Sequence, residues 1–252
     1  MFRNREADVV QAPSRRARVR AATTEEIKQT ARRILVGQGP AAMTLRAIAR
    51  DMGMTAPAIY RYFDSHEDLL GHVVADIFSE IAAEIRAAIV TAGGASNGDM
   101  TAKLVAACRQ FRSWALDHRA EFGLLFGTPL PSLEGMHDDA TINECAAKFS
   151  GVFFALFLEL WLRHPFPVPA PDEIDPGLRA QLERYRDGLG ADLPVGAMVV
   201  FLRCWMRLYG AVSLEVFGHL HFALDDAAPM FEIMLSELAP MVGLAYSPAP
   251  TA

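Results

Sequence analysis

From Leu69 onward, apolar side chains fall on a single stripe at three- and four-residue intervals: Leu69, Leu70, Val73, Val74, Ile77, Phe78, Ile81, Ile85 and Ile89. A strand alternates its faces every second residue, so this period fits one buried face of a long helix and nothing else. The same spacing recurs over about 24–36, 44–52, 55–63, 99–118, 119–126, 138–163, 195–221 and 227–242, with a shorter polar helix near 178–189. No stretch alternates like a strand. The expected fold is therefore all-α. Of the 252 residues 52% are hydrophobic and 15 are Phe, enough for a packed core rather than a disordered chain. Glycine and proline punctuate the helices: Gly37, Gly39 and Pro40, then Gly93 to Gly98, then Gly127-Thr128-Pro129. Pro165, Pro167, Pro169, Pro171 and Pro176 make 164–177 a loop or surface strap.

Charge divides the chain unevenly. The net is −6, which by itself argues against a polyanionic partner. Residues 1–65, however, hold eleven Arg and one Lys against six acidic groups, a net of +6, leaving −12 on the remainder. A basic end on an acidic body suits a molecule whose one end meets nucleic acid. Residues 1–22, with Arg15, Arg16, Arg18 and Arg20, lack periodicity and are expected to be a flexible basic arm. Two readings of that arm stay open: entry into a minor groove, or non-specific attraction alone.

The sharpest constellation lies between Thr44 and Phe63. Two short helices crossing steeply through a tight turn need a small residue at the crossing, a residue tolerant of positive φ in the turn, and a buried aliphatic on the second helix. Ala49, Gly53 and Ile59 meet these demands at the right offsets. Thr44 is placed to cap the first helix, and Pro57 falls in the first turn of the second, where its missing N–H costs little. Residues 24–70 further resemble the tetracycline-repressor (TetR) family of bacterial regulators. The resemblance is carried by Thr44, Ile48-Ala49, Gly53, Tyr60-x-x-Phe63 and Glu67-x-Leu69-Leu70. It implies an N-terminal three-helix helix-turn-helix domain followed by a helical-bundle domain for ligand binding and dimerisation.

It also implies site residues. Thr55, Ala56, Pro57 and Ala58 would face base edges of double-stranded DNA, helped by Arg46, while Thr44, Tyr60, Tyr62 and His66 would hold phosphates. A recognition helix presents its N-terminal residues to the bases, in agreement. Tyr62 reads more readily as core than as a phosphate ligand, and Arg61 as either a phosphate contact or a solvated side chain. His66 stands where the family usually has lysine, which predicts a weaker or pH-sensitive contact.

Farther on, Trp205-x4-Gly210-x3-Leu214-Glu215-x2-Gly218-His219 resembles the Trp/His/Gly type of C-terminal domain found in a subset of these regulators. Gly210 and Gly218, eight apart, are expected on one face of a single helix, allowing close helix approach. With Leu214, Phe217, Met230, Ile233 and Met234 they form the expected homodimer interface, an intramolecular core being the alternative. The family's dimer is usually a four-helix bundle of the last two helices. A pocket for an apolar or aromatic effector is expected among Trp114, Phe122, Phe126, Phe153, Phe154, Phe157, Trp161, Trp205 and Tyr209.

The boundaries that follow are an arm over 1–22, the reading domain over 23–66, the effector and dimerisation domain over 67–243 and a tail over 244–252. Cys108, Cys145 and Cys204 are odd in number and form no CxxC pair, so they are expected as free buried thiols. His219-x-His221 has the wrong spacing for two metal ligands on one helix face. Neither a metal nor a cofactor is expected. No phosphate loop or HExxH occurs, so a regulator rather than an enzyme is expected. The apolar stretches near 152–162 and 195–217 carry Glu159, Arg203, Arg207 and Glu215, which disfavours membrane spans and points to a cytoplasmic protein. The partners anticipated are an inverted-repeat operator, a small-molecule effector and a second copy of the chain.

Overall fold

The first helix, α1, spans Arg15–Gln38, and it begins nine residues before the Thr24 start that periodicity suggested. In the computed structural model, which describes residues 14–95, 98–127, 140–246 and 248, the basic arm is thus helical from Arg15 onward; its residues 1–13 lie outside the described part. The reason is intrinsic propensity. Residues 15–22 are mostly Arg and Ala, strong helix formers, with no Gly or Pro among them. Ser14 caps the helix through its Oγ, which accepts from the Ala17 amide at 3.2 Å. Residues 14–20 are exposed, so packing does not hold this extension. Burial starts at Ile27, followed by Thr30, Ala31, Ile34 and Leu35.

Helix α2, Leu45–Asp51, is capped by Thr44, whose Oγ1 accepts from the Ala47 amide at 3.2 Å. Gly53 then turns the chain at φ 65°. The Gly53 amide donates to the Arg50 carbonyl and the Met54 amide to that of Ala49, the paired closure that stops a helix at a left-handed residue. Helix α3 is brief, Ala56–Ile59, with Pro57 in its first turn, and hydrogen-bonded turns extend it to Phe63. Ile48, Ile59 and Phe63 close the small core beneath, essentially free of solvent.

Helix α4, His66–Ala95, runs from this head into the body. Gly93 and Gly94 do not end it, a small departure from the expected stop near 92. The body adds α5 (Met100–Asp117), α6 (Arg119–Phe126), α7 (Ala140–Arg163), α8 (Pro176–Gly188), α9 (Val195–Val216) and α10 (Ala228–Met241). No strand occurs among the described residues. The proline-rich strap is anchored rather than loose. Phe166 is buried between Phe157 and Trp161, with edge-on rings 5.5 and 5.1 Å away.

Helix α5 is the hub. It packs on α4, α7 and α9, and ion pairs pin three neighbours to it. Lys103 meets Glu159 of α7 at 2.9 Å, Arg112 meets Glu215 of α9 at 2.5 Å, and Arg109 meets Glu232 of α10 at 2.8 Å. Helices α7 (over Glu144–Arg163) and α9 are long and apolar enough to cross a membrane by length and composition. Here α7 packs against α4 and α5, and α9 against α5, α8 and α10, so both serve as bundle helices.

Candidate nucleic-acid interface and buried cavity

The head gathers much of the expected DNA-facing set on its surface. Thr44, Arg46, Tyr60 and His66 line one open groove of about 550 Å3, together with Pro40, Ala41 and Met43. Tyr60 is 54% exposed although it follows the buried Ile59, so its hydroxyl is held outward by the short turn after α3. Thr55 and Pro57 are exposed and Ala56 and Ala58 half-buried at the start of α3. Arg46, Arg50 and Arg61 are exposed and make no ion pair among the described residues, whereas Arg33 is tied to Asp51 between α1 and α2. Unpaired guanidinium groups keep their hydrogen-bond donors free for phosphate.

Two expected contacts differ in detail from a free lysine-like reach. The Nε2 of His66 lies 2.6 Å from the Met43 carbonyl, so that nitrogen carries the hydrogen and donates inward. Its Nδ1 lies 3.8 Å from the Glu67 carboxylate. Tyr62 is half-buried, and the Arg20 guanidinium lies over its ring at 5.2 Å, so it is neither pure core nor a free hydroxyl arm.

Between α5, α7, α9 and α10 the body holds a small, partly open apolar cavity of about 40 Å3. Of the aromatic residues expected around an effector, Phe153, Phe157 and Trp205 line it. Trp114, Phe122, Phe126, Phe154, Trp161 and Tyr209 do not. Trp114 and Phe122 are buried in the packed core, and Tyr209 donates its hydroxyl hydrogen to the Phe126 carbonyl at 2.7 Å, joining α9 to the end of α6. Phe154 packs edge-on to Phe201, and Trp161 on Phe166. These rings build the aromatic interior because each finds ring partners 5–6 Å away, the ordinary spacing of packed aromatics. Residues that spacing did not single out complete the wall, notably Cys108, Cys204, Leu208 and Leu238. Burial pushes the Cys108 thiol up to about 12 and the Cys204 thiol up to about 11, so both stay protonated and act as small apolar lining. All three cysteines are free.

The expected dimer face needs one correction. Helix α9 stops at Val216, and Gly218 is not on it: at φ 73° it is the left-handed residue that ends the helix. Its amide donates to the Glu215 carbonyl, and that of His219 to Leu214, the same closure as at Gly53. Any Cβ at Gly218 would also lie 3.1 Å from the His221 ring. Gly210 and Gly218 therefore do not share a helical face. The rest of the stripe does face outward. Leu214 on α9, Phe217 just after it, and Met230 and Ile233 on α10, are each 41–51% exposed, joined by Met206 at 62%. A Cβ at Gly210 would meet nothing within 4 Å. Met234 is half-buried beside them.

Head and body meet through an ionic joint that sequence spacing alone did not reveal. Arg32 of α1 bonds Glu80 of α4 at 2.5 Å and Glu121 of α6 at 3.0 Å. Glu121 is 96% buried, its exposure only 4%. Trp114 adds an indole N–H to Glu80 at 3.4 Å, and His118 stacks on Trp114 at 4.9 Å. Arg32 holds the Glu80 carboxyl below the usual carboxylate range. Lys28 of α1 bonds Asp76 of α4 at 2.5 Å, one turn away. Among the described residues no group of three or more His, Cys, Asp or Glu side chains is placed to hold a metal.

Residues 21–73 match the family described as bacterial regulatory proteins, tetR family, and residues 104–238 match the tetracyclin repressor-like C-terminal domain. The chain belongs to the TetR family. It is 30% identical over 195 residues to the HTH-type transcriptional regulators Rv1816 of Mycobacterium tuberculosis and Mb1846 of Mycobacterium bovis, covering 77% of this chain and 80% of each relative. Among solved structures, the regulatory protein SCO4313 superposes with a TM-score of 0.68 at 30% identity, over 90% of this chain and all of that one. A protein of unknown function from Rhodococcus sp. RHA1 shares the fold at TM-score 0.61 and 18% identity, over 95% of this chain and all of that one. This TetR-family chain is accordingly a DNA-binding transcriptional regulator. The head built on Thr44, Gly53 and Tyr60 lies inside the matched N-terminal segment, and the exposed stripe and all of the cavity wall but Val242 lie inside the matched C-terminal one.

Proposed function

We propose that this TetR-family regulator is a cytoplasmic homodimer that represses by holding an inverted-repeat operator and releases it when a small apolar or aromatic molecule enters the body. The observation that carries the reading is the double role of α9 and α10. Both wall the cavity, through Phe201, Cys204, Trp205 and Leu208 on α9 and Leu238 on α10, and both present the unpartnered apolar stripe outward. Pairing of two copies through that stripe would bury side chains that water now touches, at roughly 25 cal/mol per Å2 of apolar surface. A ligand wedged between α5, α7, α9 and α10 would then strain the helices that set the distance between the two heads. It acts only through unequal affinity for the two head spacings. The Arg32–Glu80–Glu121 joint would transmit the change to α1 and α4.

The cavity's size favours a second reading as well. Ligand pockets for drug-sized molecules span roughly 300–1,000 Å3, far above the 40 Å3 here. A regulator that dimerises and binds DNA with no effector would have such a filled core. Titration separates the two. Apolar acyl and aromatic compounds are added to the protein on DNA that it has itself selected from a random pool. Release by a compound that also quenches tryptophan fluorescence supports the effector reading. A panel that binds nothing, with operator affinity unchanged throughout, favours the effector-free regulator. A crosslink that fixes the head separation should abolish release while leaving effector binding intact; release from the crosslinked dimer would refute the spreading mechanism.

A further inference from the structure

The helical start of α1 creates a second basic surface that the helix-turn-helix alone does not contain. Arg15, Arg16, Val19 and Arg20, spaced one turn apart on one face, line an open groove of about 640 Å3 with Arg61 and Tyr62. None of its four arginines makes an ion pair among the described residues, and no acidic side chain lines it. The Arg20 guanidinium rests over the Tyr62 ring at 5.2 Å, which fixes the extension against the turn that follows α3. Tyr60 belongs to the groove of Thr44, Arg46 and His66, while Arg61 and Tyr62 belong to this one. Consecutive residues thus join two grooves into one continuous face around the recognition turn.

We propose that this arginine groove clamps the sugar-phosphate backbone of operator DNA immediately outside the half-site read by α3. The inference rests on the reading that α3 enters the major groove. Four unpaired guanidinium groups in one concave strip offer paired N–H donors to successive phosphates, the geometry arginine serves best. The partner is set by continuity. A polyanion seated on Thr44, Arg46 and Tyr60 must pass along the adjoining surface or leave it, and four uncompensated cations favour the first. The extension from Arg15 to Thr24 spans about 15 Å at 1.5 Å per residue, so it reaches about four further base pairs at 3.4 Å each. The same residues on a flexible arm would add attraction without a fixed footprint. On a capped helix they have one.

The test compares the full-length protein with R15A/R16A/R20A and R15K/R16K/R20K on duplexes it selects from a random pool. Alanine preserves helicity, so circular dichroism should not change. The alanine variant should keep the selected sequence, lose flanking protection of about four base pairs at each outer end, and bind with a shallower salt dependence. Each lost phosphate contact lowers the log–log slope by about 0.9, so three contacts in each of two subunits flatten it by up to about 5.4. The lysine variant should restore most of the slope. Unchanged slope and footprint in the alanine variant would overturn the clamp. A lysine variant that behaves like alanine would overturn the phosphate assignment in favour of arginine-specific contact with bases. Should the wild-type protein select no sequence, the operator reading itself fails, and the slope on random duplexes still decides for or against the groove.

Discussion

The head's reading face and the body's cavity are the two candidate sites, and they are built in opposite ways. The head's surface comes from one short stretch, Pro40 to Leu70, resting on a small core of Ile48, Ile59 and Phe63. Its polar groups point outward already, and its key turn is dictated by a single glycine at φ 65°. The cavity is assembled from α5, α7, α9 and α10, whose residues are separated by up to about 140 positions, and it holds only about 40 Å3. Local chemistry prescribes the first. The second exists only where four helices fail to close completely, and its dimensions follow from side-chain packing across the whole body. A surface for a rigid, regular partner such as duplex DNA can be fixed by local geometry. An internal site for a variable ligand is left to the packing.

The contrast should be hardest to keep where the two regions join. Glu121→Ala leaves the half-buried Arg32 with Glu80 alone, and Arg32→Met leaves a buried carboxylate with no cation. Breaking such a pair typically costs about 3–5 kcal/mol; the partial exposure of Arg32 puts Glu121→Ala toward the lower end. Thermal unfolding should therefore drop clearly for both, and more for Arg32→Met. Equal stability to wild type would mean that the joint is incidental and that the head folds independently of the body. The depressed Glu80 carboxyl gives the linkage its sign. Its contribution is present above the unfolded carboxylate range and is lost as pH falls through the lowered folded value, so the joint weakens only under acid.

Leu208→Ala sharpens the difference from the other side. Leu208 is 3% exposed and lines the cavity. Its truncation should destabilise by about 2–4 kcal/mol while enlarging the void. An aromatic probe should then bind the variant and raise its melting temperature, with DNA affinity in the absence of probe unchanged. If the enlarged cavity admits no probe, the site has no access path and is ordinary core.

How much of this was legible can be seen in the turns. Gly53 was readable because its offset from Ala49 and Ile59 is local and its role is steric. Gly218 carries the same backbone closure, but it was read as a packing position, since spacing cannot tell a glycine that ends a helix from one that lies inside it. The start of α1 was missed because the signal for Arg15–Thr24 is propensity and a serine cap, with no buried face to create a period. Phe122 was a candidate pocket residue on aromatic character alone, yet its partners Phe111 and Tyr209 come from other helices, while Trp114 stacks on His118 one turn away. The Arg32 joint spans 48 residues to Glu80 and 89 to Glu121, and nothing in either neighbourhood names the other.

Gly53→Val should come next in size. A β-branched residue in the left-handed region costs about 1–2 kcal/mol, confined to the head. Amide exchange should quicken in α2 and α3 and stay unchanged around Phe111, and specific DNA binding should fall with the head alone. Global unfolding instead would mean that head and body are one cooperative unit. Smallest is Tyr60→Phe, which removes one exposed hydroxyl. It should weaken binding to every duplex by about tenfold, the worth of one hydrogen bond to a charged group, with melting temperature and sequence preference intact. A shifted preference would move Tyr60 from positioning to base reading.

The central claim is that one local reading face, repeated by two-fold pairing through α9 and α10, determines the operator. Sequence selection from random DNA, followed by footprinting of the bound duplex, tests it most directly. The account predicts an inverted repeat whose half-sites lie one helical turn apart, about 34–36 Å, or a multiple of that, with Thr55→Ala changing the preferred base at the same position in both halves. A single asymmetric site, or a selected sequence indifferent to Thr55 and Pro57, would contradict it.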